Sequence, residues 1–187
     1  MRAVDVIRSG GIVGVPTDTV YGLAVDPTSP TAVRRLYELK GRPADKPIAL
    51  LVADAESASR LVDIPENAAR LASEHWPGAL TLVTRPRVDL PDWVGDPVTR
   101  SVGVRVPDRA DLVELLAETG PLAVTSANLS GSRAAESSAE AEAIFGEEVD
   151  LYLDGVCPGG LSSTVVDVTT EPFRVLRQGP IVILDAN

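Results

Sequence analysis

Four short polar clusters stand where apolar runs stop: Thr17-Asp18-Thr19, Lys40-Gly41-Arg42, Thr125-Ser126-Ala127-Asn128 and Ser162-Ser163-Thr164. Arg105 and Arg177 add cations inside or beside apolar strands, where an unpaired charge is costly. The densest stretch is Pro16 to Leu23, which brings two hydroxyls, a carboxylate and a phenol together within five residues. A glycine that permits close backbone approach follows. Side chains that emerge at a strand end are well placed to line a ligand pocket, because the strand fixes their backbone. Each cluster taken alone also has a purely structural use. Thr and Asp close Asx-type turns at strand ends, and cations at a helix C-terminus complement its dipole.

The elements that must position these groups follow from apolar spacing and from Gly and Pro punctuation. Ala3 to Ser9 has helical spacing and stops at Gly10-Gly11, and Ile12 to Val15 reads as a short buried strand. Ser29-Pro30 starts a helix with an N-cap and a first-turn proline, and Gly41 ends it, so Lys40 and Arg42 flank its C-terminus. Ile48 to Val52 is a strand. Asp54 caps a helix to Leu61, and a further helix runs from Pro65 to His75 before Trp76-Pro77-Gly78. Ala79 to Val83 and Val102 to Val106 are strands on either side of a Pro-rich loop over Arg85 to Thr99, with Gly103 and Arg105 on the face opposite the valines. Asp108 or Asp111 is expected to cap a helix to Glu118. Leu122 to Thr125 is a buried strand ending in the third polar cluster, and Ser130 to Ser138 is a small-residue loop. Ser137 with Glu140 fits a capping box for a helix to Ile144. Strands are then expected at Leu151–Leu153, Val165–Val168 and Phe173–Leu176, with a tight loop at Cys157-Pro158-Gly159-Gly160. Interleaved helices and strands make the class α/β, with a mixed sheet because several late strands lack intervening helices. We find no repeat and expect one domain over residues 1–187.

The bulk composition narrows the chemistry. One cysteine, Cys157, excludes an internal disulfide framework, and one histidine, His75, disfavours a His-based metal cage or a Ser-His-Asp triad. A small buried thiol and a surface or capping imidazole are the expected roles. No apolar run reaches membrane-spanning length and the N-terminus has no apolar signal core, so a cytoplasmic location is the default. The net charge of -10 argues against broad affinity for nucleic acid. Residues 34–46, however, carry Arg34, Arg35, Lys40, Arg42 and Lys46 against Glu38 and Asp45, a local +3. A basic island on an acidic chain suits a specific small anion better than a polyanion.

Taken in order, the clusters resemble the YrdC/TsaC family of L-threonylcarbamoyladenylate synthases. The matching segments are Pro16 to Leu23, Lys40-x-Arg42-Pro43 with Lys46-Pro47, and Trp76-Pro77-Gly78 with Leu80-Thr81. They continue through Val104-Arg105-Val106-Pro107, Ser126-Ala127-Asn128 with Ser130-Gly131, Ser163 to Asp167, and Leu176-Arg177 with Gly179. The resemblance implies a twisted α/β sheet around a concave pocket. It also implies synthesis of threonylcarbamoyl-AMP and pyrophosphate from L-threonine, bicarbonate or CO2, and ATP, as the donor for tRNA threonylcarbamoyladenosine. In that setting Lys40, Arg42, Ser126 and Asn128 are the catalytic candidates. Arg105, Thr19 and Ser163 are expected on threonine, with Tyr21 packing nearby. Arg42, Arg177, Ser126 and Asn128, with Lys46, Ser101 and Thr81 as weaker candidates, are expected on the nucleotide. Mg²⁺ is expected with ATP, and Asp18 is placed either on that metal or in a turn.

Departures from the family pattern touch single assignments. Leu51 stands where some members carry His, Lys46 where some carry Asn, and Gln178 where a Pro is common. The sequence ends soon after Ile183, and the added C-terminal domain of the two-domain relatives is not expected. A downstream tRNA-modifying transferase is the expected recipient of the product, with tRNA binding by this chain weak. A different class of reading is a noncatalytic RNA-binding or ribosome-associated module, which the acidic balance disfavours. The carbamoyl-adenylate chemistry of hydrogenase-maturation carbamoyltransferases is a third, set in larger chains with zinc-finger and transferase regions that this sequence lacks.

Overall fold

The structure, a computed structural model, describes residues 2–43 and 45–183. The chain begins with α1 (Ala3–Arg8), β1 (Val13–Val15), β2 (Gly22–Val25), α2 (Pro30–Lys40), β3 (Ala49–Leu51), α3 (Ala55–Leu61) and β4 (Val62–Asp63). It continues through α4 (Glu66–His75), β5 (Leu80–Pro86), β6 (Val102–Arg105), α5 (Ala110–Thr119), β7 (Leu122–Ser126) and α6 (Ser138–Phe145). A 3-10 turn at Gly146–Glu148 leads to β8 (Leu151–Tyr152), β9 (Thr164–Asp167) and β10 (Arg174–Arg177). The strands lie in the order β10-β9-β5-β6-β3-β7-β2-β1-β8, with β4 paired to β5 beside this path. The pairs β1·β8, β3·β6 and β5·β9 are parallel and the others antiparallel, so the sheet is mixed as expected.

Local chemistry sets the helix ends. The Ser29 hydroxyl accepts from Ala32 N, Pro30 opens α2, and Gly41 ends it at φ 57°, a backbone region in which a side chain is strained. Asp54 accepts from Ser57 N and Ser137 from Glu140 N, each cap contributing about 1 kcal/mol. Neither Asp108 nor Asp111 caps α5. Arg109 takes the cap position without a side-chain bond, and the Asp111 carboxylate is occupied by Arg109 and by Leu112 N. The Glu140 carboxylate reaches Glu136 N rather than Ser137 N, so the capping box is shifted by one residue.

Two apolar layers sandwich the sheet. On one face Leu23, Val25, Leu50, Leu80, Leu82, Val102, Val104 and Val166 pack with residues of α2, α3, α4 and α6. On the other face α1 and α5 cover Val13, Val15, Ala24, Leu122 and Val124. That second cover reaches only part of the sheet. Because alternate residues of a strand point to opposite faces, the partners of the first layer's apolar residues line the uncovered part. They are Gly22, Ala49, Thr81, Val83, Gly103, Arg105, Ser126, Val165 and Asp167. The pleat thus turns one half of each strand's sequence into core and the other half into a concave wall.

Candidate active site

The uncovered part of the sheet forms a cavity of about 380 Å³, within the usual range for a small-molecule site. Besides the strand residues, Thr17, Thr19, Arg42, Ser101, Ser163 and Arg177 line it. The structure therefore brings together Thr19, Arg42, Thr81, Ser101, Arg105, Ser126, Ser163 and Arg177 of the residues singled out from sequence. Lys40, Lys46 and Asn128 stand outside the lining. Lys40 is buried under the turn after β7, and Lys46 is exposed.

Thr17 determines what Thr19 can offer a ligand. The Thr17 hydroxyl donates to Val20 O at 2.7 Å and accepts from Thr19 N at 3.0 Å. Its only proton is therefore engaged, and in the 3.0 Å contact between the two hydroxyls Thr19 is the donor. Thr19 Oγ1 also accepts from Arg105 Nη1 at 3.1 Å. What remains for the cavity is a lone pair, suited to an ammonium or hydroxyl donor and unsuited to a carboxylate.

Arg105 is held on three sides. Nε donates to Gly78 O at 2.9 Å, Nη1 to Thr19, and Nη2 to Asp18 Oδ1 at 2.5 Å, with the Arg105 and Asp18 side chains 6% and 12% exposed. A guanidinium has five N–H donors, so one on each terminal nitrogen is left for a ligand. Across the cavity, Arg177 donates from Nε to Ser163 O at 3.0 Å and from Nη2 to Ser163 Oγ at 3.1 Å. Ser163 Oγ in turn lies 2.8 Å from Thr81 Oγ1. Partial burial and the charges of Arg105 and Arg42 hold the Arg177 pKa below its ordinary value. Three guanidinium groups thus feel one another across the same space, an arrangement that an anion relieves.

Arg42 reaches this space because its own loop is closed by it. Nε donates to Lys46 O and Nη2 to Pro47 O, both at 2.8 Å. The Lys46 carbonyl also accepts from the Tyr37 hydroxyl at 3.0 Å, so Lys46 serves the site through its backbone. Ser101 Oγ lies 2.7 Å from Thr99 Oγ1, and its backbone bridges to Asp96. Ser126 donates to Asn128 Oδ1 at 2.5 Å.

Two sequence expectations are corrected. Tyr21 does not pack beside the ligand space. It is fully buried in the core and its hydroxyl donates to Leu153 O at 2.6 Å, with burial pushing its pKa up. Asp18 does not close a turn: its Oδ1 accepts from Arg105 Nη2, a partner the sequence did not suggest. Cys157 is the buried thiol expected, its Sγ accepting from Thr17 N at 3.3 Å, and burial pushes its pKa up. The cavity also contains residues that sequence reasoning passed over: Asp96, Thr99, Asp167, Thr169 and Arg174. Asp167 was accessible through the alternation Ser163-Val165-Asp167. Its carboxylate accepts from Thr169 N and Oγ1 and, at 3.3 Å, from Arg174 Nη2.

Comparison with known proteins agrees with this geometry. A Mycobacterium tuberculosis protein provisionally named a threonylcarbamoyl-AMP synthase is 40% identical over 183 residues, covering 97% of this chain and 84% of the relative. The threonylcarbamoyl-AMP synthase of Pyrococcus abyssi is 37% identical over 180 residues, 95% of this chain but 53% of the relative, so this chain spans about half that protein's length. The crystal structure of Pyrococcus abyssi Sua5 complexed with L-threonine superposes with a TM-score of 0.89 at 37% identity, over 95% of this chain and 53% of that one. Escherichia coli YciO gives 0.85 at 28% identity, over 95% and 87%. The family model that matches, described as "Telomere recombination", spans residues 5–179, and the chain belongs to that family, Sua5/YciO/YrdC.

Proposed function

We propose that this chain is a threonylcarbamoyl-AMP synthase, converting L-threonine, bicarbonate or CO2, and ATP to threonylcarbamoyl-AMP and pyrophosphate. The observation that carries the reading is the pairing of Arg105 with the proton-accepting face of Thr19, in a cavity that Arg42 and Arg177 also line. Arg105 offers two N–H groups to the threonine carboxylate, and Thr19 offers a lone pair to its ammonium or hydroxyl. Ser163 is the second small polar group on the amino-acid side. Once deprotonated, the amine forms a C–N bond to the CO2 carbon and gives up a further proton, or expels water when bicarbonate is the donor. The resulting carbamate oxygen then bonds to the α-phosphorus as its bond to the bridging oxygen breaks and pyrophosphate leaves.

Such a transfer depends on positioning and charge neutralisation more than on a strong base. Arg42 and Arg177 are the residues placed to neutralise the phosphates, and Ser126 and Ser101 to hydrogen-bond the nucleotide. Mg²⁺ is proposed to arrive on the triphosphate, where it would supply charge neutralisation. The product is an activated acyl phosphate, so its consumer is a transferase acting on a nucleophile, proposed here to be the tRNA-modifying one. No helix among the described residues is long and apolar enough to cross a membrane, and cytoplasmic action fits these water-borne substrates.

The test is pyrophosphate release from ATP by the purified protein with threonine and bicarbonate each supplied or withheld. Release that needs both supports the reading; none across a range of divalent-metal conditions overturns it.

A further inference from the structure

Lys40 ends α2, yet its ammonium is not on the cavity wall. At 2% exposure it is the most buried charged residue described, and none of the ion pairs among the described residues includes it. Its partners are three oxygens of the turn that follows β7: Ser126 O, Asn128 O at 2.7 Å and Asn128 Oδ1 at 3.4 Å. The Lys40 carbonyl accepts from Ser130 N at 2.9 Å, which ties the same turn to the helix end.

Asn128 is equally occupied. Oδ1 accepts from Ser126 Oγ at 2.5 Å and from Lys40, while Nδ2 donates to Leu129 O at 2.8 Å and to Ser132 O at 3.0 Å. With its proton committed to Asn128, Ser126 presents lone pairs to the cavity it lines. The only member of this trio among the lining residues is the one whose hydroxyl the other two orient.

We propose that Lys40 is a positioning residue: its ammonium clamps the Ser126–Asn128 turn and, through Asn128, fixes the Ser126 hydroxyl as a hydrogen-bond acceptor facing the reacting groups. This inference rests on the synthase reading above and gives Lys40 a role that needs no contact with phosphate. An ammonium suits the position because its three N–H groups match three converging oxygens. Ser126 O also accepts from Asn128 N at 3.1 Å, and Asn128 Oδ1 from Ser126 Oγ. Among the described residues Asn128 O is therefore the one that depends on Lys40 alone and is costly to leave unsatisfied. A neutral amine has two N–H groups and a lone pair, which would face one of those oxygens and loosen the turn.

The charged form is under pressure. Burial and then the nearby Arg42 lower the Lys40 pKa from 10.5 to about 8. Arg42, on the loop after its own helix, is the charged group that faces it, and the turn packed against it contributes carbonyls, a hydroxyl and an amide. Below about pH 8 the clamp is charged and closed; above it the proton leaves and the turn slackens. Fold stability moves the other way. Between about 8 and 10.5 the unfolded chain holds this proton more tightly than the folded one, so the Lys40 contribution to stability rises with pH.

The test combines kinetics with a measurement on the free protein. Pyrophosphate release is followed for wild type, Lys40→Met, Ser126→Ala and the double variant, across the alkaline pH range. The expected result is a kcat loss of about ten-fold or more in Lys40→Met, with threonine and ATP KM values within about two-fold of wild type. The double variant should be no slower than the slower single variant, since neighbours acting as one unit are not additive. Wild-type kcat should fall as pH passes about 8, and this limb should be missing in Lys40→Met. Losses that multiply, a raised ATP KM at unchanged kcat, or an alkaline limb that persists in Lys40→Met would each overturn the proposal.

If Lys40→Met does not fold, Asn128→Ala takes its place in the cycle, because it cuts the link to Ser126 from the more exposed side. By NMR on the free wild type, the Asn128 side-chain amide signals should titrate with a midpoint of about 8. Amide signals that do not move overturn the clamp. Wild-type protein without turnover overturns the functional reading instead, and the NMR titration then decides the clamp by itself.

Discussion

Arg105 is a buried cation, and what it can hold is set by what already holds it. Asp18 supplies its counter-charge, and Gly78 O and Thr19 fix the plane of its guanidinium. A ligand carboxylate would bring a second negative charge to the same cation. Asp18→Asn keeps the side-chain shape and one acceptor oxygen but removes the charge, leaving Arg105 uncompensated in the empty site. The expected cost is about 2 to 3 kcal/mol of stability. L-threonine should restore more of the lost melting temperature in this variant than it adds to wild type, because its carboxylate replaces the missing charge. Thermal melts with and without threonine check this; equal shifts in the two proteins would remove Arg105 from the amino-acid side. At this scale the sequence revealed which polar residues gather, since Thr19, Arg105 and Ser163 all sit at strand ends or on strand faces. It could not reveal that Thr17 decides the direction of the Thr19 proton, because that depends on a turn closing onto Val20 O. Nor could it show that Lys40 turns inward while Arg42, two residues on, reaches the cavity.

The elements carry the site through the pleat. Residues 102–106 read correctly as alternating, and the structure puts Val102 and Val104 in the core and Gly103 and Arg105 on the cavity wall. The glycine keeps this wall flat: a Cβ at 103 would lie 3.2 Å from Ala49 Cβ and 3.3 Å from Thr81 Cγ2. Gly103→Ala should therefore push these neighbours apart by a few tenths of an ångström and raise the cavity floor beside Arg105. We expect a several-fold rise in the ATP KM with a change in melting stability below about 1 kcal/mol, since alanine at least matches glycine as a strand residue. Steady-state kinetics with ATP varied at saturating threonine is the check, and an unchanged KM would place the nucleotide elsewhere in the cavity. The helices were legible because caps are local: Ser29-Pro30 with Gly41, Asp54 and Ser137 all act where expected. β2 was not. Gly22-Leu23-Ala24-Val25 is buried on both faces, so it has no alternation to detect, and it opens on a glycine, a weak strand former. The Asp111 cap failed because a cation two residues earlier competes for the same carboxylate.

Across the whole molecule, the placement of charge argues about partners. The net charge is -10, and Arg2, Arg35, Arg60, Arg70, Arg87, Arg109, Arg133 and Arg174 are each paired with an acidic side chain, whereas the exposed Arg8, Arg34, Lys46, Arg85 and Arg100 have no ion pair among the described residues. The arginines placed to meet an anion, Arg42, Arg105 and Arg177, instead converge inside one cavity. A concave cluster of this size can neutralise the phosphates of one nucleotide, whereas a polynucleotide needs cations spread along a track to release its counterions. Binding of tRNA to the isolated chain is therefore expected to be weak, with a shallow dependence of log K on log salt, no steeper than about -3. Saturating ATP should abolish most of what binding there is, because both would compete for the same three guanidinium groups. Fluorescence anisotropy of labelled tRNA, titrated at several salt concentrations with and without ATP, measures both quantities. A steep slope of about -4 or more that survives ATP would require a second basic surface. It would also favour a synthase that meets the RNA itself over the proposed hand-over of its adenylate to another protein.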